Sequence, residues 1–297
     1  MVKDRSASSV ILDIVIHVSL LLLLIVTVFP ILHVAAISFS SSSAINRGIV
    51  TFYPRELNLD AYRKVWEAGT VPNSFKNSVL YTAVGTAINL TFTILMAYPL
   101  SKKSLPLKKL YMSMIIVTMF FGGGLIPNFL LVNNLGLYDT MWALILPGTI
   151  STWNLVVMRT FFQNIPGEIE ESAYLDGAND MQILYKIVLP LSKASIATIG
   201  LFYAVGHWNS WFNALIYFKS NSKYPLQLVL REIVIQGQMA RELAEQGETA
   251  AWEEMGMVSV ESIKYATLFI SIIPMLIVYP FVQKYFVKGV MIGSLKG

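Results

Sequence analysis

Six long apolar stretches, at 10–37, 78–100, 110–132, 140–162, 194–218 and 264–286, leave this chain few ways to fold. Each can cross a hydrocarbon core, which takes about 20 helical residues. Water is absent there, so a spanning segment must satisfy its own peptide groups, and for apolar runs of this length a helix does so. The expected fold class is all-α: a polytopic membrane protein with six transmembrane helices in one domain over 1–297. Composition points the same way. Hydrophobic residues make up 55% of the chain and charged residues 13%, with a mean hydropathy of +0.59. Soluble domains carry roughly 25% charged residues. The first stretch imitates a secretory signal, since Lys3 and Arg5 precede it and Val34-Ala35-Ala36 resembles a cleavage site. A signal's apolar region runs only about 7–15 residues, so this run reads as a retained helix.

Short connections set the orientation. Lys102, Lys103, Lys108 and Lys109 crowd the loop between the second and third stretches, whereas 133–139 holds no lysine or arginine. Short basic loops stay in the cytoplasm. Both termini are then expected in the cytoplasm, with 38–77 and 219–262 as outer loops and 164–191 as an inner one. The net charge of +4 fits this bias and calls for no nucleic-acid partner. The absence of cysteine excludes disulfides, thiolate catalysis and cysteine-ligated zinc. The competing class is a membrane-embedded transferase. Against it, His17, His33 and His207 make no metal constellation without cysteine, and no carboxylate pair is spaced for acid–base work inside the membrane.

The inner segment 164–191 differs from every other connection. Pro166 suits a first helical turn, Glu168, Glu170 and Glu171 complement the positive end of a helix dipole, and Gly177 supplies a stop. Asp180 is the expected cap of a second helix, whose Leu184, Ile187, Val188 and Leu191 fall at i, i+3, i+4 and i+7. Pro190 marks its end or a kink. Periodicity alone suits a helix–glycine–helix elbow and an amphipathic loop lying on the bilayer equally.

The residues themselves add more. Glu171-Ser172-Ala173, Gly177 and Ile187-Val188-Leu189-Pro190 closely resemble the EAA loop of ATP-binding-cassette import permeases, whose pattern is E-A-A, three residues, G, nine residues, I-x-L-P. Only Ser172 departs from it. The resemblance implies a type I importer permease fold, and a short helix that docks into an ATPase subunit and couples through Glu171, Ser172, Ala173, Gly177, Ile187, Leu189 and Pro190. The chain has no phosphate-binding G-x-x-x-x-G-K-[ST] motif, so ATP and Mg are expected on the partner ATPase, with no cofactor in this chain. Asp176-Gly177-Ala178, Tyr285–Gly289 and Lys296-Gly297 look like carbohydrate permeases related to the maltose transporter's smaller channel subunit. Gly122–Pro127, Tyr138–Pro147, Arg159–Phe162, Gly206–Asn213 and Tyr224–Arg231 are similar to a narrower branch that imports oligosaccharides cut from complex polysaccharides. That family implies a homologous second permease, two ATPase subunits and a separate sugar-binding protein, in the bacterial inner membrane. A cargo of amino acids, phosphate esters or metal is the alternative, opposed only by the resemblance at the C-terminal end.

The fifth stretch is the richest in sugar-binding chemistry. Trp208, Asn209, Trp211 and Asn213 offer aromatic faces and amides, and Asn209 and Asn213 stand one turn apart and are expected to share a helical face. The same residues suit helix packing and an interfacial aromatic belt. Asp13, His17 and His33 are lone ionisable groups in the first stretch. Pro99, Pro127, Pro147, Pro274 and Pro280 are expected kinks. Glu232, Glu242, Glu245, Glu248, Glu253 and Glu254 mark the outer segment 219–262 as a solvated cap or as a surface for the binding protein.

Overall fold

The structure, a computed structural model, describes residues 7–245 and 260–294, with side chains at 8–236, 238, 260–280 and 283. Glu248, Glu253, Glu254, Lys296 and Gly297 lie outside the described residues. The described chain is helical: α1 (Ala7–Ser38), α2 (Ser42–Asn46), α3 (Asp60–Glu67), α4 (Thr70–Ser101), α5 (Lys108–Phe120), α6 (Leu125–Asn134), α7 (Trp142–Ile145), α8 (Thr152–Gln163), α9 (Gly167–Leu175), α10 (Asp180–Ile183), α11 (Leu189–Leu191), α12 (Lys193–Trp208), α13 (Phe212–Tyr217), α14 (Leu226–Glu245) and α15 (Val260–Ser294).

Three helices are individually long and apolar enough to cross a membrane, over Ser8–Ser38, Thr70–Ser101 and Val260–Pro280. The other apolar stretches are broken. Over 110–132 the chain is two helices, α5 and α6, bent by 112°. Gly122, Gly123 and Gly124 explain the break, because glycine is costly to order in a helix and Gly124 takes φ +80°. Over 140–162, α7 runs into a 3₁₀ turn at Leu146–Gly148, and α8 starts afresh with Ser151 as its N-cap. The expected helix over 194–218 ends at Trp208 and restarts at Phe212. Hydropathy sees the lipid-compatible length of these segments but not their hydrogen-bond interruptions.

Contacts divide the chain into two compact units, Met1–Val71 with Glu232–Ile273 and Pro72–Arg231 with Pro274–Gly297. In the first unit, α1 is exposed at every position from Val10 to Leu32, an apolar surface suited to lipid or another membrane subunit. Its end is anchored. Ala36, Ile37, Ala44 and Val50 form a small core, with Ile45 and Tyr265 packed against it. The serine run around Ser40 caps and ties: Ser41 accepts from Ala44 N–H at 3.1 Å, and Ser40 Oγ accepts from Arg55 N–H at 2.9 Å. The histidines of α1 are locally bonded, His17 to the Asp13 carbonyl and His33 to that of Thr51.

The second unit holds the two larger cores. One gathers Ala97, Leu155, Met158, Ile183, Val188 and Ile199 from α4, α8, the segment 164–191 and α12. The other gathers Tyr81, Val132, Leu144, Tyr217 and Leu228. Between α4 and α12 the packing is close and polar. Thr93 and Tyr203 share a hydrogen bond at 2.7 Å, and Ser151 N–H donates to the Tyr203 hydroxyl at 3.0 Å. The His207 ring fills the notch left by Gly85, where a Cβ would stand 2.5 Å from Nε2, and Asn89 meets the same nitrogen at 3.2 Å. Small and polar residues of this kind bind helices where lipid offers no hydrophobic drive.

Candidate functional site: an elbow and a broken helix

The elbow is built by two ordinary capping devices. Helix α9 opens after Pro166, with Glu168 and Glu170 in its first turn, where carboxylates meet the positive end of the dipole. A Cβ at Gly167 would lie 3.9 Å from Glu171 Oε1, so that carboxylate also reaches back to the first turn. At the other end Gly177 takes φ +80°. Ala178 N–H donates to the Ala173 carbonyl at 3.0 Å and Gly177 N–H to that of Tyr174 at 3.0 Å, the paired bonds of a Schellman stop. Asn179, not Asp180, caps the next helix. Its side chain accepts from Gln182 N–H at 2.9 Å, and Gln182 Oε1 accepts from Asn179 N–H at 3.0 Å. Asp180 is the first residue of α10 and accepts from the Tyr174 hydroxyl. That bond, with burial, pushes the Tyr174 phenol up to about 12.

Beyond α10 the backbone widens into a π turn at Leu184–Val188, and α11 carries Pro190. Proline lacks an N–H and its ring crowds the carbonyl four residues back, at Lys186, inside that π turn. The chain then bends by 84° into α12. The expected apolar face is partly revised: Ile183, Leu184 and Val188 are buried, Ile187 is half-buried, and Leu191 is exposed.

Burial separates the coupling candidates into two sets. Glu171, Ser172, Gly177 and Pro190 are exposed, while Ile187 and Leu189 pack against the core. Ala173 is only 8% exposed and belongs to that core. Its smallness lets α9 lie close on its own subunit. The outward apolar side chain is Leu175, 90% exposed. An ion pair from Lys102 to Glu170, each side chain 18% exposed, pins α9 to the end of α4, and the ammonium lies 4.2 Å from the Tyr98 ring. Lys108 donates to the carbonyls of Ser101 and Lys102 at 3.2 and 2.8 Å, and Arg159 to that of Leu100 at 2.9 Å. Basic residues thus cover the unsatisfied C-terminal carbonyls of α4.

The fifth stretch sorts its aromatics differently. Trp208 is 4% exposed and meets Phe75 edge to face at 5.8 Å, so it packs inside its own subunit. Asn209 ends α12 and Asn213 lies in α13, so the two do not share one helical face, although both are exposed. Trp211 is 36% exposed and carries the Arg231 guanidinium 4.5 Å above its ring. Arg231 is twenty positions away in the chain, and nothing local in the sequence joins the two.

Nothing local in the sequence marks Asp139. Held at φ +57°, it accepts from the backbone N–H groups of Lys219 and Ser220 at 3.0 and 3.1 Å, the Ser220 hydroxyl at 2.8 Å and the Lys223 ammonium at 2.7 Å. Lys223 above all, then Ser220 and Lys219, hold its carboxyl well below the usual carboxylate range. A depressed folded value stabilises wherever the unfolded carboxyl is ionised, above about pH 4, and is lost only as pH falls through the folded value. Asp139→Asn should therefore lower the melting temperature at pH 7 and make 217–223 easier to proteolyse. Wild type and variant should converge only in strong acid.

Comparison with known proteins decides the family. The model of the "Binding-protein-dependent transport system inner membrane component" family matches residues 75–292. The chain belongs to this family. It is 42% identical over 286 residues to the polygalacturonan/rhamnogalacturonan transport system permease protein YtcP of Bacillus subtilis (strain 168), covering 96% of this chain and 98% of that one. It is 43% identical over 272 residues to Protein LplC of the same strain, covering 92% and 90%. Among solved structures it is similar to the crystal structure of a bacterial ABC transporter involved in the import of the acidic polysaccharide alginate, with a TM-score of 0.84, 34% identity, and 95% and 99% of the two chains covered. The chain is thus an ABC importer permease of the inner membrane, a transport subunit and not an enzyme, and such a permease works with an ATPase and a solute-binding protein.

Proposed function

We propose that this permease forms, with a homologous second permease, an alternating-access pathway for an oligosaccharide derived from a complex polysaccharide. A binding protein delivers the cargo outside and two ATPase subunits bind ATP and Mg inside. The observation that carries the coupling half is the shared core. Ala173, Ile183 and Val188 of the elbow pack in one cluster with Ala97 of α4, Met158 of α8 and Ile199 of α12. A close-packed core transmits displacement instead of absorbing it. The cargo half is supported by relatives named for polygalacturonan, rhamnogalacturonan and alginate transport. The test is ATP-dependent uptake of labelled oligosaccharides into vesicles holding the complete complex. Uptake that is absent, or unchanged when this chain is omitted, would overturn the reading.

The orientation has its own test, helped by the absence of native cysteine. With the elbow in the cytoplasm, Asn134→Cys should react with an impermeant thiol reagent in intact cells, and Ser104→Cys only after permeabilisation. The reverse pattern would put the elbow outside and end the coupling argument.

A further inference from the structure

The break between α12 and α13 is an awkward object for a membrane protein. Non-helical backbone is tolerated at membrane depth only where it is buried in protein or lines a wet cavity. Here Asn209 and Trp211 are exposed. Nearby, an arginine stands with no carboxylate: among the described residues, Arg231 has the Trp211 ring as its contact and no ion-pair partner. The side chains of Asn209 and Asn213 likewise make no hydrogen bond among the described residues. Lipid would penalise this group of unpaired donors heavily, and water alone would not require the guanidinium to sit on an indole.

The chemistry has a specific fit. A guanidinium stacked on a ring uses its face and leaves its in-plane N–H groups free, a rigid fork matched to a carboxylate. The exposed part of the indole offers an apolar surface to the C–H face of a pyranose, and free amides suit its hydroxyls. Those three features together describe a sugar that carries a carboxylate. We propose that Trp211 and Arg231 form a uronate-reading subsite on the transport path, with Arg231 donating its N–H groups to the sugar carboxylate and Trp211 both holding the guanidinium and stacking on the ring. This rests on the oligosaccharide-permease reading and adds to it the charge of the cargo and the residues that select it.

The experiment compares short uronate oligosaccharides with their neutral methyl esters, in vesicles holding the whole complex. Each probe's affinity for the isolated binding protein is measured separately, so that delivery can be factored out. Arg231→Gln should reduce uptake of the acidic probes by about ten- to a hundredfold, as loss of a charge-assisted hydrogen bond implies, and leave the esters nearly unchanged. Trp211→Ala should reduce both. Equal losses for acid and ester in Arg231→Gln, with the complex intact, would overturn the subsite. Should Arg231→Gln fail to co-purify with its partners, Arg231→Lys carries the test, since it keeps the charge without the fork. An acid-selective loss in that variant supports the subsite, and unchanged or equal uptake overturns it. Wild-type uptake of neutral oligosaccharides alone overturns the subsite and spares the permease reading, whereas no uptake of either class removes both.

Discussion

Ala173→Asp should eliminate oligosaccharide uptake and binding-protein-stimulated ATP hydrolysis together, because the complex loses its elbow. The side chain at 173 faces a core that includes Met158, Phe162, Ile183, Leu184 and Val188. A carboxylate there is buried without a partner, at a cost on the order of several kcal/mol. Relief comes only if α9 lifts away from the core, which also breaks the Lys102–Glu170 pair at its edge. Leu175→Asp is the informative contrast. That side chain is 90% exposed in the subunit, so the variant should fold and reach the membrane normally. It should nevertheless lose the ATPase, because the same carboxylate is desolvated at the docked interface. Detergent extraction followed by co-purification separates the two outcomes: less permease for Ala173→Asp, and intact permease without ATPase for Leu175→Asp. Full coupling in both variants would remove the elbow from the transmission path.

Gly177→Val should uncouple the complex without emptying the core. No atom lies within 4 Å of a Cβ built at Gly177, so a side chain meets no steric obstacle there. The obstacle is the backbone, since φ +80° is a conformation that L-residues rarely take. A β-branched residue adds strain of about 1–3 kcal/mol. The cheaper alternative is to change the turn and swing α9 relative to α10. Uptake should then fall about tenfold or more, while the permease still assembles. Gly177→Asn, whose side chain tolerates the left-handed region, should keep most of the activity. Comparable losses for Asn and Val would show that the turn's conformation does not set coupling. Stimulated hydrolysis and uptake, measured side by side in vesicles, give the coupling ratio directly.

Much of the elbow is readable because its signals are local. Pro166, the glutamates behind it and Gly177 act through the one or two turns that contain them, and the structure uses each where its chemistry predicts. The cap moved by one residue, from Asp180 to Asn179, since either side chain can cap a helix and the choice rests on Gln182 three residues on. The breaks at Gly122–Gly124 and Asn209–Trp211 lie inside the apolar stretches 110–132 and 194–218, which read as single helices. Average hydropathy is blind to where the hydrogen-bond ladder stops.

Burial is where local reading ends. An alanine is small enough for a partner's surface or for its own core, and the helical pattern around Ala173 suits both. Only the arrival of α4, α8 and α12 on one side of α9 settles that Ala173 is inside and Leu175 outside. Trp208 and Trp211 differ by three positions and in no local chemistry, yet Phe75 buries one and Arg231 covers the other. The sequence by itself determined the solvent this protein folds in, its helical class and the turn chemistry of its elbow, because apolar length, charge and capping act over a few residues. The tertiary structure alone decided which side chains of the elbow face inward and that Arg231 meets Trp211. Those outcomes depend on which distant segments pack together, and a periodic apolar pattern specifies that a face is buried without specifying against what.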